Sequence, residues 1–500
     1  MFDLLLPAAR LRLPSPNQHM LLSATVAARL SVCVLFAFAL RFSTFGNPNL
    51  FVDEAFYFAA GIEMTQGALP YVDIWDRKPF GHFALYWAMA AISYDPIVYQ
   101  IFASIFAGFT AFVIWEMARG DFGMRAGCAA AVLYLCALPM FGGYGGQSPV
   151  FYNALVAASA WIVYRQTRKP GEWGSNAPMI FAMGMAGVAL TIKQTALFEV
   201  GAFGLWASCK LFKSSASLDR ALRSMAVWMA VGAMPTLSIA AYYWGAGYWT
   251  EFWQAMMLSN LSKSYDATNS LFGATIMAIL IAPVLALGFL SLRRAPSSDF
   301  KRFVQVWLAA ALLGLLSVPN FHLHYALPLL VPLSLASAPI LARPLAGSAG
   351  LVLVVTISFA IHSPFDFART KRTIGAMESL ARTIQEHDDG RFMLIFDGPP
   401  MLYHLAGHRS PTPLAFPPHL SHGAERNVSH LDTEAEIRRL LAQRPGAIVD
   451  VRDFKHRPPN LETAALVNAY VKANCRLLKS RVVQDRTVDF TVRVHGECAS

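Results

Sequence analysis

A polytopic α-helical membrane protein with a small α/β unit at its C-terminus is the fold class this sequence predicts. Three observations predict it. The chain of 500 residues is 55% hydrophobic and only 14% charged, with mean hydropathy +0.42; a soluble protein carries about 25% charged residues. Apolar runs recur through residues 1–361, and residues 362–500 lose them. The basic residues behind the net charge of +10 fall in small clusters between the apolar runs. That is the pattern of membrane topology signals, and it excludes nucleic acid as a partner.

Apolar spans are expected at 24–42, 97–118, 126–141, 149–164, 178–192, 195–212, 224–244, 271–292, 303–318, 325–342 and 347–361. The segment 79–93, "PFGHFALYWAMAAIS", falls short of the ~20 residues a spanning helix needs. Charge decides its state, because cytoplasmic loops carry the excess Lys and Arg. If 79–93 lies along the surface, the clusters Arg10/Arg12, Arg119/Arg125, Arg165/Arg168/Lys169, Lys210/Lys213/Arg220/Arg223, Arg293/Arg294/Lys301/Arg302 and Arg343 share one side. The expectation is therefore eleven spans, with interfacial helices in a first outer loop of residues 43–96. The N-terminus is cytoplasmic; 142–148, 245–270, 319–324 and the unit 362–500 lie outside. The first twenty residues are proline-rich and basic, and the first apolar run reads as a signal anchor.

Strand-like "RFMLIFDG", "GAIVDVRD" and "RTVDFTVRV" alternate in the tail with helical 366–388, "PPMLYHLAG", "TEAEIRRLLAQRP" and "LETAALVNAYVKANC", which suggests α/β architecture. In an oxidising outer compartment Cys475 and Cys498 become a candidate disulfide. The other four cysteines, Cys33, Cys128, Cys136 and Cys209, lie in or beside apolar runs and read as packing residues.

The polar residues that interrupt this apolar background map to the outer side. Asp53 and Glu54 open a helix-like run, where the macrodipole alone favours acids by about 0.3–1 kcal/mol. "YVDIWDRKPF" then packs Asp73, Asp76, Arg77 and Lys78 among aromatics, followed by His82. A lysine at headgroup depth can meet a lipid phosphate. Lys193 and Gln194 sit between two spans, and His322, His324 and Tyr325 sit at another outer turn. The His-x-His spacing is no zinc signature, so these histidines read as hydrogen-bonding groups. Together they describe a site for a substrate whose phosphate lies at the interface and whose lipid tail stays in the bilayer.

The order Asp-Glu, "PYVDIWDRKPF", "LTIKQT", "HLHYALPLLVP" and a small α/β tail resembles the bacterial membrane glycosyltransferases of the GT-C fold. The pattern is nearest to the protein O-mannosyltransferase-like enzymes, which include lipid A aminoarabinose transferases and rhizobial galacturonosyltransferases. The resemblance covers nearly the whole chain. It implies an inverting transferase that moves a sugar, hexosyl or pentosyl, from a polyprenyl-phosphate donor to an envelope acceptor such as lipopolysaccharide, another glycan or a protein. The place of reaction would be the outer face of a bacterial inner membrane. It implies Asp53 as the catalytic carboxylate that takes the acceptor proton or orients the acceptor hydroxyl, and Lys78 as the donor-phosphate lysine. Here "KPF" replaces the commoner Lys-Pro-Pro.

Lys193, His324 and Tyr325 join the phosphate site by position. Glu54 stands as a second catalytic candidate, and Asp73, Asp76, Arg77, His82, Gln194 and His322 as further site residues. No cofactor is required; a divalent metal held by Asp53 and Glu54 is the one alternative. A transporter or flippase of a lipid-linked or anionic substrate is the rival reading, since intramembrane charges serve one too. Against it, the two halves show no repeat and the polar groups gather at one edge.

Overall fold

The first apolar run forms helix α1 (Pro16–Arg41). Two short helices follow before the chain reaches its next long one: α2 (Val52–Thr65) and α3 (Phe80–Ala90). These belong to a computed structural model that describes residues 16–168, 176–214, 217–262, 267–452, 458–484 and 489–499. Of the basic residues used for topology, Arg10, Arg12 and Lys169 lie outside the described residues.

Helix α3 has 11 residues, about 16 Å of helix, half the ~30 Å hydrocarbon thickness. It packs on α2 so closely that a Cβ on Gly61 would stand 2.6 Å from the Tyr86 carbonyl oxygen. Glycine is what permits that approach.

Helix α4 (Ile97–Ala137) breaks at Gly123, whose φ is +84°. A Cβ on Gly127 would lie 2.6 Å from the Trp115 carbonyl oxygen. Residues twelve apart in a straight helix would be about 18 Å apart, so the chain doubles back at Gly123. The expected spans 97–118 and 126–141 are the two arms.

The remaining helices of this part are α5 (Ser148–Thr167), α6 (Ala177–Ile192), α7 (Ala196–Ser214), α8 (Leu218–Gly245), α9 (Trp249–Trp253), α10 (Ser259–Ser262), α11 (Ala267–Arg294), α12 (Asp299–Leu316), α13 (Leu327–Leu341) and α14 (Pro344–Ile361). Every expected span coincides with a helix or an arm of one. Among the described residues, six helices are long and apolar enough to cross a membrane. Helices α5, α6, α7 and α12 fall short in length or hydropathy; α7, for example, carries Glu199, whose carboxylate accepts from Trp307 Nε1 at 2.7 Å in the core.

Contacts between connections respect two ends of the bundle. Arg168 pairs with Asp121 at 3.1 Å and Lys210 with Asp299 at 2.8 Å. Arg41 donates to the Gly143 carbonyl at 2.7 Å at the other end.

After α14 the chain forms α15 (Phe367–Glu386), β1 (Met393–Ile395), α16 (Met401–Leu405), α17 (Pro418–Ser421), α18 (Thr433–Ala442), β2 (Ala447–Val451), α19 (Leu461–Asn474), β3 (Arg476–Gln484) and β4 (Asp489–Gly496). The sheet order is β1-β2-β4-β3, with β1 parallel to β2 and the other pairs antiparallel. Strand β3 is absent from the sequence reading. Its "RLLKSRVVQ" pairs apolar residues side by side, and the register slips between Leu477 and Lys479, so period-two alternation is lost. Cys475 and Cys498 are bonded across its start.

Candidate active site

Asp53 and Glu54 are neighbours in the first turn of α2, yet they do different things. Adjacent helical residues point about 100° apart. Asp53 is half-buried and lines two cavities. Glu54 is 1% exposed and turns into the core, where a Cβ on Gly145 would come within 2.1 Å of its Oε2. Burial pushes the Glu54 carboxyl up to about 8; the Gly146 N–H and the Gln147 and Tyr99 side chains offset part of that. Glu54 is thus neutral around pH 7 and absent from the lining of both cavities. The pair does not converge on one point as metal ligands would.

Lys78 is fixed by its backbone. Its N–H donates to Asp76 Oδ1 at 2.9 Å, and its carbonyl accepts from the Tyr71 hydroxyl at 2.9 Å. Tyr71 holds φ at +71°, an unfavourable region for a bulky residue. Its N–H donates to the Ile74 carbonyl at 2.7 Å, closing the turn. The Lys78 ammonium lies 4.9 Å from the centre of the Tyr57 ring.

The same loop is welded to the C-terminal unit. The Trp75 N–H donates to the Pro413 carbonyl at 2.8 Å. Asp76 Oδ2 lies 3.5 Å from His419 Nε2, and His419 Nδ1 lies 3.6 Å from Glu425, which pairs with Arg77. Asp76, His419 and Glu425 are buried. Burial opposes charge on each, but the His419 ring, Lys78 and Arg77 hold the Asp76 carboxyl well below its ordinary value, and Asp76 and Glu425 raise His419. Two carboxylates, one guanidinium and one imidazolium balance, which is the condition for burying charge at tolerable cost.

Lys193 ends α6, and its ammonium lies 5.2 Å from the Tyr325 ring centre. Gln194 Nε2 donates to the Met256 carbonyl at 3.0 Å, tying this junction to the segment before α10. Phe321, with φ +47°, turns the chain into His322. The rings of His322 and His324 stack at 5.8 Å, and His324 meets Tyr325 edge-on at 4.5 Å.

These segments enclose a polar cleft of about 150 Å³ lined by Asp53, Tyr57, Asp76, Arg77, Lys78, Lys193, Gln194, His322, His324, Tyr325, Phe416, His419 and Glu425, among others. A second cavity of about 350 Å³ shares Asp53, His322 and His324 with it. Most of the expected site residues are therefore brought together. Three are not. Glu54 lies in the core. Asp73 is exposed and accepts from the Leu69 N–H at 2.8 Å as a turn residue. His82 is 1% exposed behind the cleft wall, edge-on to Tyr57 at 4.3 Å and 3.3 Å from Ser148 Oγ.

The sequence reading missed Tyr57, Phe416, His419 and Glu425. Tyr57 had a usable signal, one helical turn after Asp53 on the same face. The other three come from a part of the chain more than 330 residues away, and local pattern carries no trace of that approach.

No protein-family model and no curated protein matches the sequence. In three dimensions the chain is similar to the crystal structure of ArnT from Cupriavidus metallidurans bound to undecaprenyl phosphate. The TM-score is 0.62 at 13% identity, over 96% of this chain and 99% of that one. The fold is that of the GT-C glycosyltransferases. ArnT from the same organism in the apo state gives 0.57 at 13% identity, over 95% and 98%. The match spans the bundle, the short helices of the first loop and the C-terminal sheet together.

Proposed function

We propose that the protein is an inverting glycosyltransferase that uses a polyprenyl-phosphate-linked sugar. The observation that carries this reading is one cleft holding a half-buried carboxylate, Asp53, with two lysines, Lys78 and Lys193, at one end of a membrane-type helix bundle. That the similarly folded ArnT is bound to undecaprenyl phosphate supports a lipid-phosphate donor.

The chemistry follows from charge. The acceptor hydroxyl oxygen attacks the anomeric carbon while Asp53 takes its proton. The bond from that carbon to the phosphate oxygen breaks, and the phosphate leaves with an added negative charge. Lys78 and Lys193 meet it, each held over a tyrosine face. Products are the glycoside, inverted at the anomeric carbon, and the polyprenyl phosphate. His324 and Tyr325 supply hydrogen bonds to the same group. Asp76 positions Lys78 by accepting its backbone N–H, and Arg77 lines the same cleft.

On this reading residues 1–361 form the catalytic membrane unit and 362–500 an outer unit. The site faces the periplasmic side of a bacterial inner membrane, with the N-terminus cytoplasmic. The Cys475–Cys498 bond fits an oxidising compartment. Purified protein given polyprenyl-phosphate sugars and envelope acceptors tests the proposal. Transfer by the wild type, lost in Asp53→Asn and Lys78→Ala, is expected; undiminished transfer by both variants refutes the site. Donor movement across vesicles with no transfer favours a flippase instead.

A further inference from the structure

The second cavity lacks Lys78 and Lys193, yet it opens on the same Asp53 and shares His322 and His324 with the first. Its floor comes from the bundle: Phe51, the 140–147 connection, His322, His324 and His362. Its roof comes from the C-terminal unit: Asp397, Gly398, Pro418, His422, Val451 and Phe490. Asp397 and Gly398 follow β1, and Val451 ends β2, its parallel neighbour. Ligands of parallel sheets sit at such carboxyl ends. At about 350 Å³ the cavity is within the range of small-molecule sites.

The two cavities differ in charge. The first is lined by Arg77, Lys78 and Lys193. Among its described residues the second has no lysine or arginine; it has the carboxylates of Asp53 and Asp397 and four imidazoles. Phosphate recognition relies on guanidinium or ammonium groups, and carboxylates repel it. What this lining does fit is a ring with hydroxyls. Carboxylates and imidazoles accept and donate hydrogen bonds at several angles. Phe51 and Tyr144, stacked with centres 4.9 Å apart, give it an aromatic wall.

Resting on the transferase reading above, we infer that this cavity is the acceptor site and that it takes a neutral, unphosphorylated sugar of a glycan, with Asp397 as the residue that selects it. A glycan hydroxyl entering through this cavity meets Asp53, which both cavities share, while Lys78 and Lys193 line only the other.

The experiment uses full-length protein, a radiolabelled polyprenyl-phosphate sugar and the envelope glycolipid fraction of the source cells, either intact or dephosphorylated with aqueous hydrofluoric acid. Polypeptide from the same envelopes forms a third arm, and release of sugar to water is followed in each. The dephosphorylated glycan is expected to accept sugar within about twofold of the intact one. Asp397→Asn is expected to raise the acceptor KM about tenfold, the loss of one charge-assisted hydrogen bond, with a smaller change in kcat. Tyr144→Leu, which removes the aromatic wall, is a second variant with the same expected direction. Loss of transfer on dephosphorylation, transfer to polypeptide alone, or an unchanged acceptor KM in both variants overturns the inference while the transferase reading stands. A wild type that neither transfers nor hydrolyses the donor overturns that reading and the inference together.

Discussion

The Lys78 ammonium lies 4.9 Å from the centre of the Tyr57 ring, and Tyr57 stands one helical turn after Asp53 on α2. One face of one short helix thus carries both the Asp53 carboxylate and the aromatic seat of Lys78, the lysine proposed to meet the donor phosphate. A cation over a tyrosine face gains about 0.5–2 kcal/mol. Tyr57→Leu is therefore expected to lower kcat/KM for the donor by about 3- to 30-fold, less than Lys78→Ala, for which about 10²–10³ is expected. Steady-state kinetics over donor concentration decide; equal losses in the two variants would show that Tyr57 does more than seat the lysine.

Glu54 gives a prediction of opposite character. Its folded-state value of about 8 lies above the ordinary 4.5, so the folded chain holds a proton that the unfolded chain releases. The group's effect on stability therefore becomes less favourable as pH rises from about 4.5 to 8, and levels off above. Glu54→Gln is expected to flatten that dependence and to raise thermal stability at pH 8 relative to wild type. Melting curves in detergent from pH 5 to 9 measure it. A parallel pH dependence in wild type and variant contradicts a neutral, buried Glu54.

Gly145 follows from the same contact. A methyl group there would sit 2.1 Å from Glu54 Oε2. Gly145→Ala is expected to destabilise the chain by about 1–3 kcal/mol through overpacking, and adding Glu54→Ala is expected to restore part of it. If the double variant is simply the sum of the singles, the two residues are not in contact.

The ring of buried Asp76, His419 and Glu425 with half-buried Arg77 predicts non-additivity. Removing one member strands an opposite charge, at about 3–5 kcal/mol. Arg77→Met and Glu425→Gln are each expected to loosen the loop 70–79 and lower donor turnover, and the double variant is expected to be little worse than either. The pH signs differ within the ring. His419 is raised, so its contribution is present below its ordinary 6.5 and lost as pH rises through its folded value. Asp76 is lowered, so its contribution is present above 3.8 and lost as pH falls. Limited proteolysis of the C-terminal unit across pH is expected to show protection at neutral pH that fades toward both extremes.

Much of this architecture was legible in the chain. Hydropathy located the helices because each apolar run in lipid must satisfy its own backbone. Basic clusters argued that 79–93 does not cross, and α3 is a short helix of 11 residues packed on α2. Asp53, Lys78, Lys193 and His324 were found because a polar residue amid apolar ones is conspicuous. What stayed hidden has a common physical cause. Asp53 and Glu54 are indistinguishable in a list of residues; only the direction of the helix face separates a carboxylate that lines the cleft from a neutral buried one. His82 looked like a site residue and is a core histidine, since one residue's shift on a helix decides which side it faces. His419 and Glu425 lie in a polar unit where charged residues are ordinary, and nothing local marks them as part of a distant wall.

That wall has a consequence for any attempt to retarget the protein. The C-terminal unit supplies Phe416, His419 and Glu425 to the cleft that holds Lys78, and its backbone is stitched to Trp75. A graft of a foreign C-terminal unit, made to change what is modified, would remove the counter-ions of Asp76 and Arg77 at the same stroke. On the proposed reading, recognition and chemistry are not separable cassettes; a transplant would have to carry the Pro413–Glu425 strip along with it.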